Sequence, residues 1–353
     1  MKIGILTFHW GTNYGAVLQA YCLQEYLTNQ GHMVEIINYK PKQYDISRWH
    51  VFLNPKYWRD ISRRLLNEKK ERKLEEFRDK FLHRTMRFYA KNDFCDALNK
   101  YDVIISGSDQ VLNPSFTCHG ENGKSSSVYW LSVGRRDSLR IGYAVSFGCE
   151  EYPKEAANVA KQWVNNFNVI GTREKTGLQI LDQLGYTGRK EIVPDPTLLL
   201  GSTLFKNIGI DLHKKQNDYI CVYMLRREIK LEGNVRYIDE KHSSLTMEEW
   251  LGAIVRSKFL VTNSYHGMIM AILAHVPFLV LLEETCRRGM NDRFFTLLNR
   301  LKLEDRIVNN TTIELEKQIN DSIDWNEVDI LINKLKKEGI NFLEIINNES
   351  SLV

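Results

Sequence analysis

The sequence lacks the usual signatures of a metal centre. It has no HExxH, no DxD-type pair of carboxylates, no CxxC, and no Cys/His set at ligand spacing. GxGxxG and the P-loop pattern are also missing, so no dinucleotide or nucleoside-triphosphate motif can be read, and the absence of GxSxG leaves a hydrolase elbow unsupported. No apolar run approaches the roughly 18–20 residues of a membrane span. The six cysteines (22, 95, 118, 149, 221 and 286) are scattered and are expected to be reduced thiols, mostly core packing. Because Met1-Lys-Ile-Gly-Ile-Leu reads as a strand at once, with no apolar leader, the expected location is the cytoplasm. Charge of one sign is lacking too: 48 basic against 44 acidic residues leave a net charge of +4, and no nucleic-acid-binding motif accompanies it.

With 353 residues, 43% of them hydrophobic, the chain can bury two cores. Short apolar runs alternate with helical patterns, which is the signature of parallel α/β sheets. Strands are expected at 2–7, 33–38, 102–106, 140–145, 168–171 and 192–193, and again, after a restart near residue 197, at 219–224, 259–261 and 277–282. Helices are expected at 16–29, 176–184, 246–257, 292–301 and 326–338. The domain reading is 1–196, 197–325, and a last segment, 326–353.

One segment is uneven. Residues 48–91 hold fourteen Lys/Arg against six Asp/Glu, with Trp49, Phe52, Tyr57 and Trp58 among them. A helix over 67–87 would put Leu74, Phe77 and Phe81 on one face. Two readings stay open: a solvated amphipathic helix pair on the first domain, or a basic-aromatic surface for anionic lipid or a diphosphate-linked substrate.

Four loops follow strand ends: Gly11-Thr12-Asn13-Tyr14-Gly15, Gly107-Ser108-Asp109-Gln110, Thr172-Arg173-Glu174-Lys175 and Ser264-Tyr265-His266-Gly267. In facing α/β domains, such loops gather at one cleft. The last of them turns directly into an apolar helix whose N-terminus would attract an anion beside an imidazole. That makes His266 the sharpest candidate, although a core histidine bonded to a carbonyl is the alternative. Arg173 is either a clamp for a carboxylate or one half of an ion pair. His9 opens a loop that could contact ligand. Arg287, Arg288 and Arg293 follow the next strand, where they could close over a phosphate or remain solvated.

Taken together, Gly11-Thr-Asn-Tyr-Gly-Ala16, Ser106-Gly-Ser-Asp-Gln-Val-Leu-Asn113, Thr172-Arg-Glu174, Asp195-Pro-Thr197 and Thr262-Asn-Ser-Tyr-His-Gly267 resemble the polysaccharide pyruvyl transferase family, in family order over about residues 1–300. The resemblance implies a glycosyltransferase-B-like pair of Rossmann-type domains, with the C-terminal helix crossing back to the first. It also implies transfer of the enolpyruvyl group of phosphoenolpyruvate, a co-substrate, onto a sugar diol as a cyclic ketal during capsule, exopolysaccharide or cell-wall polymer synthesis. No cofactor or metal is expected. On that basis His266 and Asp109 are the catalytic candidates. Arg173, Ser264, Tyr265, His266, Gly267, Arg287, Arg288 and Arg293 would bind the donor. His9, Gly11, Thr12, Asn13, Tyr14, Gly15, Ser108, Asp109 and Gln110 would bind the acceptor, which could be linked to a lipid diphosphate at the inner membrane face. Some family members place an arginine two residues before the histidine, where this chain has Ser264, so a loop arginine is expected to supply the charge. The competing classes are a nucleotide-sugar glycosyltransferase on the same plan and a non-catalytic carbohydrate-binding protein.

Overall fold

The structure is a computed structural model that describes residues 1–41, 44, 61–94, 96–117, 126–214, 217–225, 228–239, 241–282, 288–308 and 321–350. Arg287, the side chain of Arg288, the aromatic residues expected at 49–58, and Cys95, Cys118 and Cys286 lie outside the described residues.

Near-continuous apolar runs make strands buried on both faces, which is what a parallel sheet with helices on each side requires. β1 (Lys2–Leu6), β2 (Met33–Ile36), β3 (Val103–Ser106), β4 (Leu139–Val145), β5 (Val169–Thr172) and β6 (Arg189–Ile192) form a six-stranded sheet in the order β2-β1-β3-β4-β5-β6. Its pairings are all parallel. A second parallel sheet has the order β11-β10-β9-β7-β8, built from β7 (Ile220–Tyr223), β8 (Val235–Tyr237), β9 (Phe259–Thr262), β10 (Phe278–Leu281) and β11 (Ile307–Val308). The architecture is two α/β units, each with its own sheet, as the alternating pattern implies.

Helices Tyr14–Asn29 and Tyr265–Leu273 meet between the sheets, within one continuous apolar core. Tyr14 stacks flat on Trp250, with ring centroids 4.9 Å apart, and its hydroxyl donates to the Leu245 carbonyl of the second unit. Helix Trp325–Leu343 then returns to the first unit. Gly339 allows the approach, since a Cβ there would lie 2.7 Å from the Tyr143 hydroxyl, and Phe342 packs on the Tyr143 ring.

The basic segment departs from expectation. Its helix runs Ile61–Phe81, not to residue 87. Beyond Phe81 the backbone pairs with the end of β2 instead: Ile36 N–H donates to His83 O and Thr85 N–H to Ile36 O. Open edge groups of a strand outcompete weak helix propensity there. Several of the helix's cations also turn inward. Lys70 is buried with its ammonium 4.2 Å from the Tyr14 ring centre, Arg78 is fully buried, and Lys73 pairs with Glu249; beyond the helix, Arg84 pairs with Glu75. Lys70 and Arg78, at least, spend their charge inside the protein. β8, β11 and helix Lys154–Trp163 were not expected; the first two are strands of three and two residues, too short to show a period.

Candidate functional site

The loop after β3 passes close to β1, and Gly107 is the residue that lets it, because a Cβ there would sit 2.9 Å from Thr7 Cβ. Ser108 is buried and donates to Asp195 Oδ2 at 2.9 Å. Asp109 follows with φ of +78°, in the left-handed region. Such backbone is costly for a side-chain-bearing residue and persists only where its surroundings hold it. Here the Ser146 amide donates to the Asp109 carbonyl, and Arg173 grips the carboxylate.

Arg173 is sealed from solvent. One amino group donates to Asp109 Oδ1 and the other to Asp195 Oδ2, each at 3.1 Å. A guanidinium committed to two carboxylates is a rivet between loops and does not line the cavity. Asp195 ends the loop after β6 and caps helix Pro196–Leu200, accepting from the Thr197 amide and hydroxyl. Burial opposes its charge, but His266, Arg173 and the Thr197 amide together outweigh burial and hold its carboxyl far below the usual range. Burial likewise opposes ionisation of Asp109, and Arg173, His266 and Arg293 overcome it, so Asp109 is also held low. Glu174 is different. It accepts from the Phe147 amide, but burial dominates and pushes its carboxyl up.

His266 stands at the centre. Its Nε2 lies 3.4 Å from Asp195 Oδ2, an ion-pair distance, and is buried without a hydrogen-bond partner among the described residues. The opposite edge of the ring faces Gly15, where a Cβ would lie 2.2 Å from Nδ1. Only glycine fits there. Ser264 caps helix Tyr265–Leu273 by accepting from the Gly267 amide, so the helix begins with His266 in its first turn. Gly267 brings that turn against Tyr223 and Thr262.

These residues border a cavity of about 360 Å³ between the two units, within the size range of ligand sites. His266, Asp109, Gln110, Asn13, Ser264 and Arg293 are among its polar groups, with Asn263 and Asn291. Among the described residues Arg293, in the first turn of helix Asp292–Leu301, makes no ion pair and its buried Nε finds no hydrogen-bond partner. Burial and then the nearby Arg173 cation pull its pKa down, against Asp109 and Glu174. A cation in that state gains from an arriving anion. Arg173 and Arg293 also flank the Tyr265 ring, at 5.1 and 5.4 Å from its centre.

The remaining expected residues divide. Asn13 lines the cavity and caps helix Tyr14–Asn29 by accepting from the Gly15 and Ala16 amides. His9 does not line it. Its imidazole is fully buried, with Nδ1 against the Thr7 carbonyl and Nε2 against Asn38 Oδ1, and burial lowers its pKa to about 4. Gly11 and Thr12 lie beside the cavity without lining it, and Tyr14 is committed to the contacts described above. Two residues with no expected role prove central. Asp195 sits in a quoted motif, and its signal was the N-cap pattern Asp-Pro-Thr after a strand. Arg78 holds the Gly11–Gly15 loop through the His9 and Gly11 carbonyls from a distant helix, and no local pattern could reveal that.

Among solved structures, the chain is similar to the UDP-GlcNAc 2-epimerase from Methanocaldococcus jannaschii (13% identity, TM-score 0.50, covering 99% of this chain and 100% of that one). It is also similar to the UDP-N-acetylglucosamine 2-epimerase from Rickettsia bellii (11%, 0.48, 98% of each) and to the glycotransferase of kitacinnamycin (10%, 0.48, 98% of each). The fold is glycosyltransferase-B-like. No curated protein matches the sequence. The family description "Polysaccharide pyruvyl transferase" matches residues 13–284, a span that includes the capping Asn13, Asp109, Asp195 and the His266 turn.

Proposed function

The chain belongs to the polysaccharide pyruvyl transferase family, and from that premise we propose that it transfers the enolpyruvyl group of phosphoenolpyruvate to a sugar diol, forming a cyclic ketal. The observation that carries this reading is Arg293: a cation without an ion-pair partner among the described residues, lining one cavity with His266 and the N-terminus of helix Tyr265–Leu273. A donor with a carboxylate and a phosphate matches an arginine plus a helix N-terminus. Arg293 thus fills the place left by Ser264.

In this mechanism His266 is the general acid. Asp195 lies 3.4 Å from Nε2 and orients the ring, Gly15 packs against its Nδ1 edge, and His266, which lines the cavity, gives its proton to C3 of the enol. C2 becomes oxocarbenium-like, one sugar hydroxyl bonds to it and loses its proton, and the C2–O bond to phosphate then breaks. The second hydroxyl attacks C2 as phosphate departs and closes the ketal ring; of the two hydroxyl protons, one returns to His266 and the other leaves on the phosphate. Asp109 accepts a hydrogen bond from an acceptor hydroxyl, and Arg173 fixes its position. Ser108 and Gln110 complete that loop, with Gln110 facing the cavity.

Thermal-shift titration tests the donor. Phosphoenolpyruvate should stabilise the protein while UDP- and GDP-sugars do not; the reverse pattern defeats the proposal in favour of a nucleotide-sugar transferase. With a diol acceptor present, His266→Ala should abolish phosphate release from phosphoenolpyruvate, and an active His266→Ala enzyme would remove His266 from the chemistry.

A further inference from the structure

Part of the cavity's lining is aromatic. Phe8 and Trp10 rise from the end of β1, Tyr44 lies against Trp10, and Phe116 completes the surface. The Trp10 indole is held in place: its Nε1–H donates to the Tyr39 carbonyl at 3.0 Å, and the Tyr44 ring packs at 4.9 Å with a 34° tilt. Tyr44 is pinned in turn, its hydroxyl donating to the Phe116 carbonyl at 3.0 Å. Rings fixed in this way lose little entropy when a ligand lies on them. None of these four residues takes part in the pyruvyl-transfer chemistry proposed above.

Polar groups line the same cavity. Gln110 Oε1 accepts from Asn113 Nδ2 at 2.7 Å, which leaves its amide N–H groups as donors, and Asp109 offers a carboxylate held ionised by Arg173. An aromatic face with a donor and an acceptor at its edge matches one class of ligand. A pyranose carries axial C–H bonds on its face and hydroxyls around its rim. A lipid chain would offer nothing to Asp109 Oδ2 or the Gln110 amide N–H groups, which is costly at residues so nearly buried.

We infer that Trp10 and Tyr44 form a stacking platform for a pyranose ring of the acceptor, with the ring's hydroxyl edge directed to Asp109 and Gln110. This rests on the pyruvyl-transfer reading for its orientation, since it turns the diol toward His266. The platform sets specificity by requiring a flat, apolar ring face. A pyranose with an axial substituent on that face is rejected.

The test uses saturation-transfer NMR on the full chain with methyl pyranosides of the gluco, galacto, manno and N-acetylglucosamine configurations. At least one should show transfer to the C–H protons of one ring face. Trp10→Ala should weaken that binding roughly tenfold, while Trp10→Phe, which keeps a stacking face, restores most of it. No transfer from any of the four sugars, or equal binding by Trp10→Ala and the wild type, overturns the platform. If the saccharides bind as expected but phosphoenolpyruvate gives no thermal shift, the platform stands and the donor assignment fails.

Discussion

Gly15→Ala is the substitution whose consequence the structure defines most sharply. The added methyl carbon would lie 2.2 Å from His266 Nδ1, 2.4 Å from Cγ and 2.7 Å from Cβ. Carbon atoms in contact settle at about 3.5–4.0 Å, so the histidine must retreat by roughly 1 Å or more. Turning the imidazole is not enough, because His266 Cβ moves only with the backbone of helix Tyr265–Leu273. Overpacking of this kind costs about 1–3 kcal/mol. Replacing glycine in a helix returns at most about 1 kcal/mol. The expected outcome is destabilisation by roughly 1–2 kcal/mol, seen as a Tm lower by a few degrees. A displacement of that size at the acid should also reduce phosphate release from phosphoenolpyruvate about 100-fold. The structural part can be isolated by a double-mutant cycle. In a His266→Gly background the obstructing side chain is gone, and Gly15→Ala should become neutral or slightly stabilising. Denaturant unfolding of the four proteins then yields a coupling energy of about 1 kcal/mol or more. If Gly15→Ala leaves stability within a few tenths of a kcal/mol in both backgrounds, the two helices do not meet as described.

Two further predictions concern charge. Arg293→Ala should weaken phosphoenolpyruvate binding about 10- to 100-fold by calorimetry, the loss of one or two charge-assisted hydrogen bonds, with little change in unfolding midpoint because no ion pair with a described residue is lost; unchanged affinity would assign the donor's anions elsewhere. The second concerns acid. His9 is buried neutral, its pKa lowered from 6.5 to about 4, so the unfolded chain binds a proton that the folded chain refuses. Stability from this group is complete above pH 6.5 and is lost as pH falls toward 4, by roughly 3 kcal/mol. Asp109 and Asp195 have depressed folded values, so their contribution is present above the unfolded value near 4 and is lost only below it. Urea midpoints should therefore fall in two stages, and His9→Gln should remove the first, between pH 6.5 and 4, while sparing the second. A first stage that survives in that variant would refute the assignment.

The architecture was legible because its signals are local. Runs such as Val103–Ser106 and Phe259–Thr262 are apolar up to their last residue, as expected of strands buried on both faces, and caps such as Thr246 with Glu249 are readable over four residues. The chemistry-bearing loops were legible for the same reason, each following a strand end. The fate of the basic helix was not. Whether Arg78 faces water or the Gly11 carbonyl depends on what packs beside it, and the hydrophobic period places both options on a similar face.

The sequence alone determined the kinds of groups available: two α/β units, a histidine in the first turn of a helix, and glycines where strands end. Only the tertiary structure decided which groups face ligand and which face each other. Arg173 and Arg293 are the same residue type, yet the two carboxylates beside Arg173 neutralise it inside the protein, and Arg293, with no described ion-pair partner, lines the cavity. Coulomb interactions act over distances in space rather than along the chain. The pairing of Asp109 and Asp195, 86 positions apart, around one guanidinium exists only once β3, β5 and β6 lie side by side in one sheet with β4 among them.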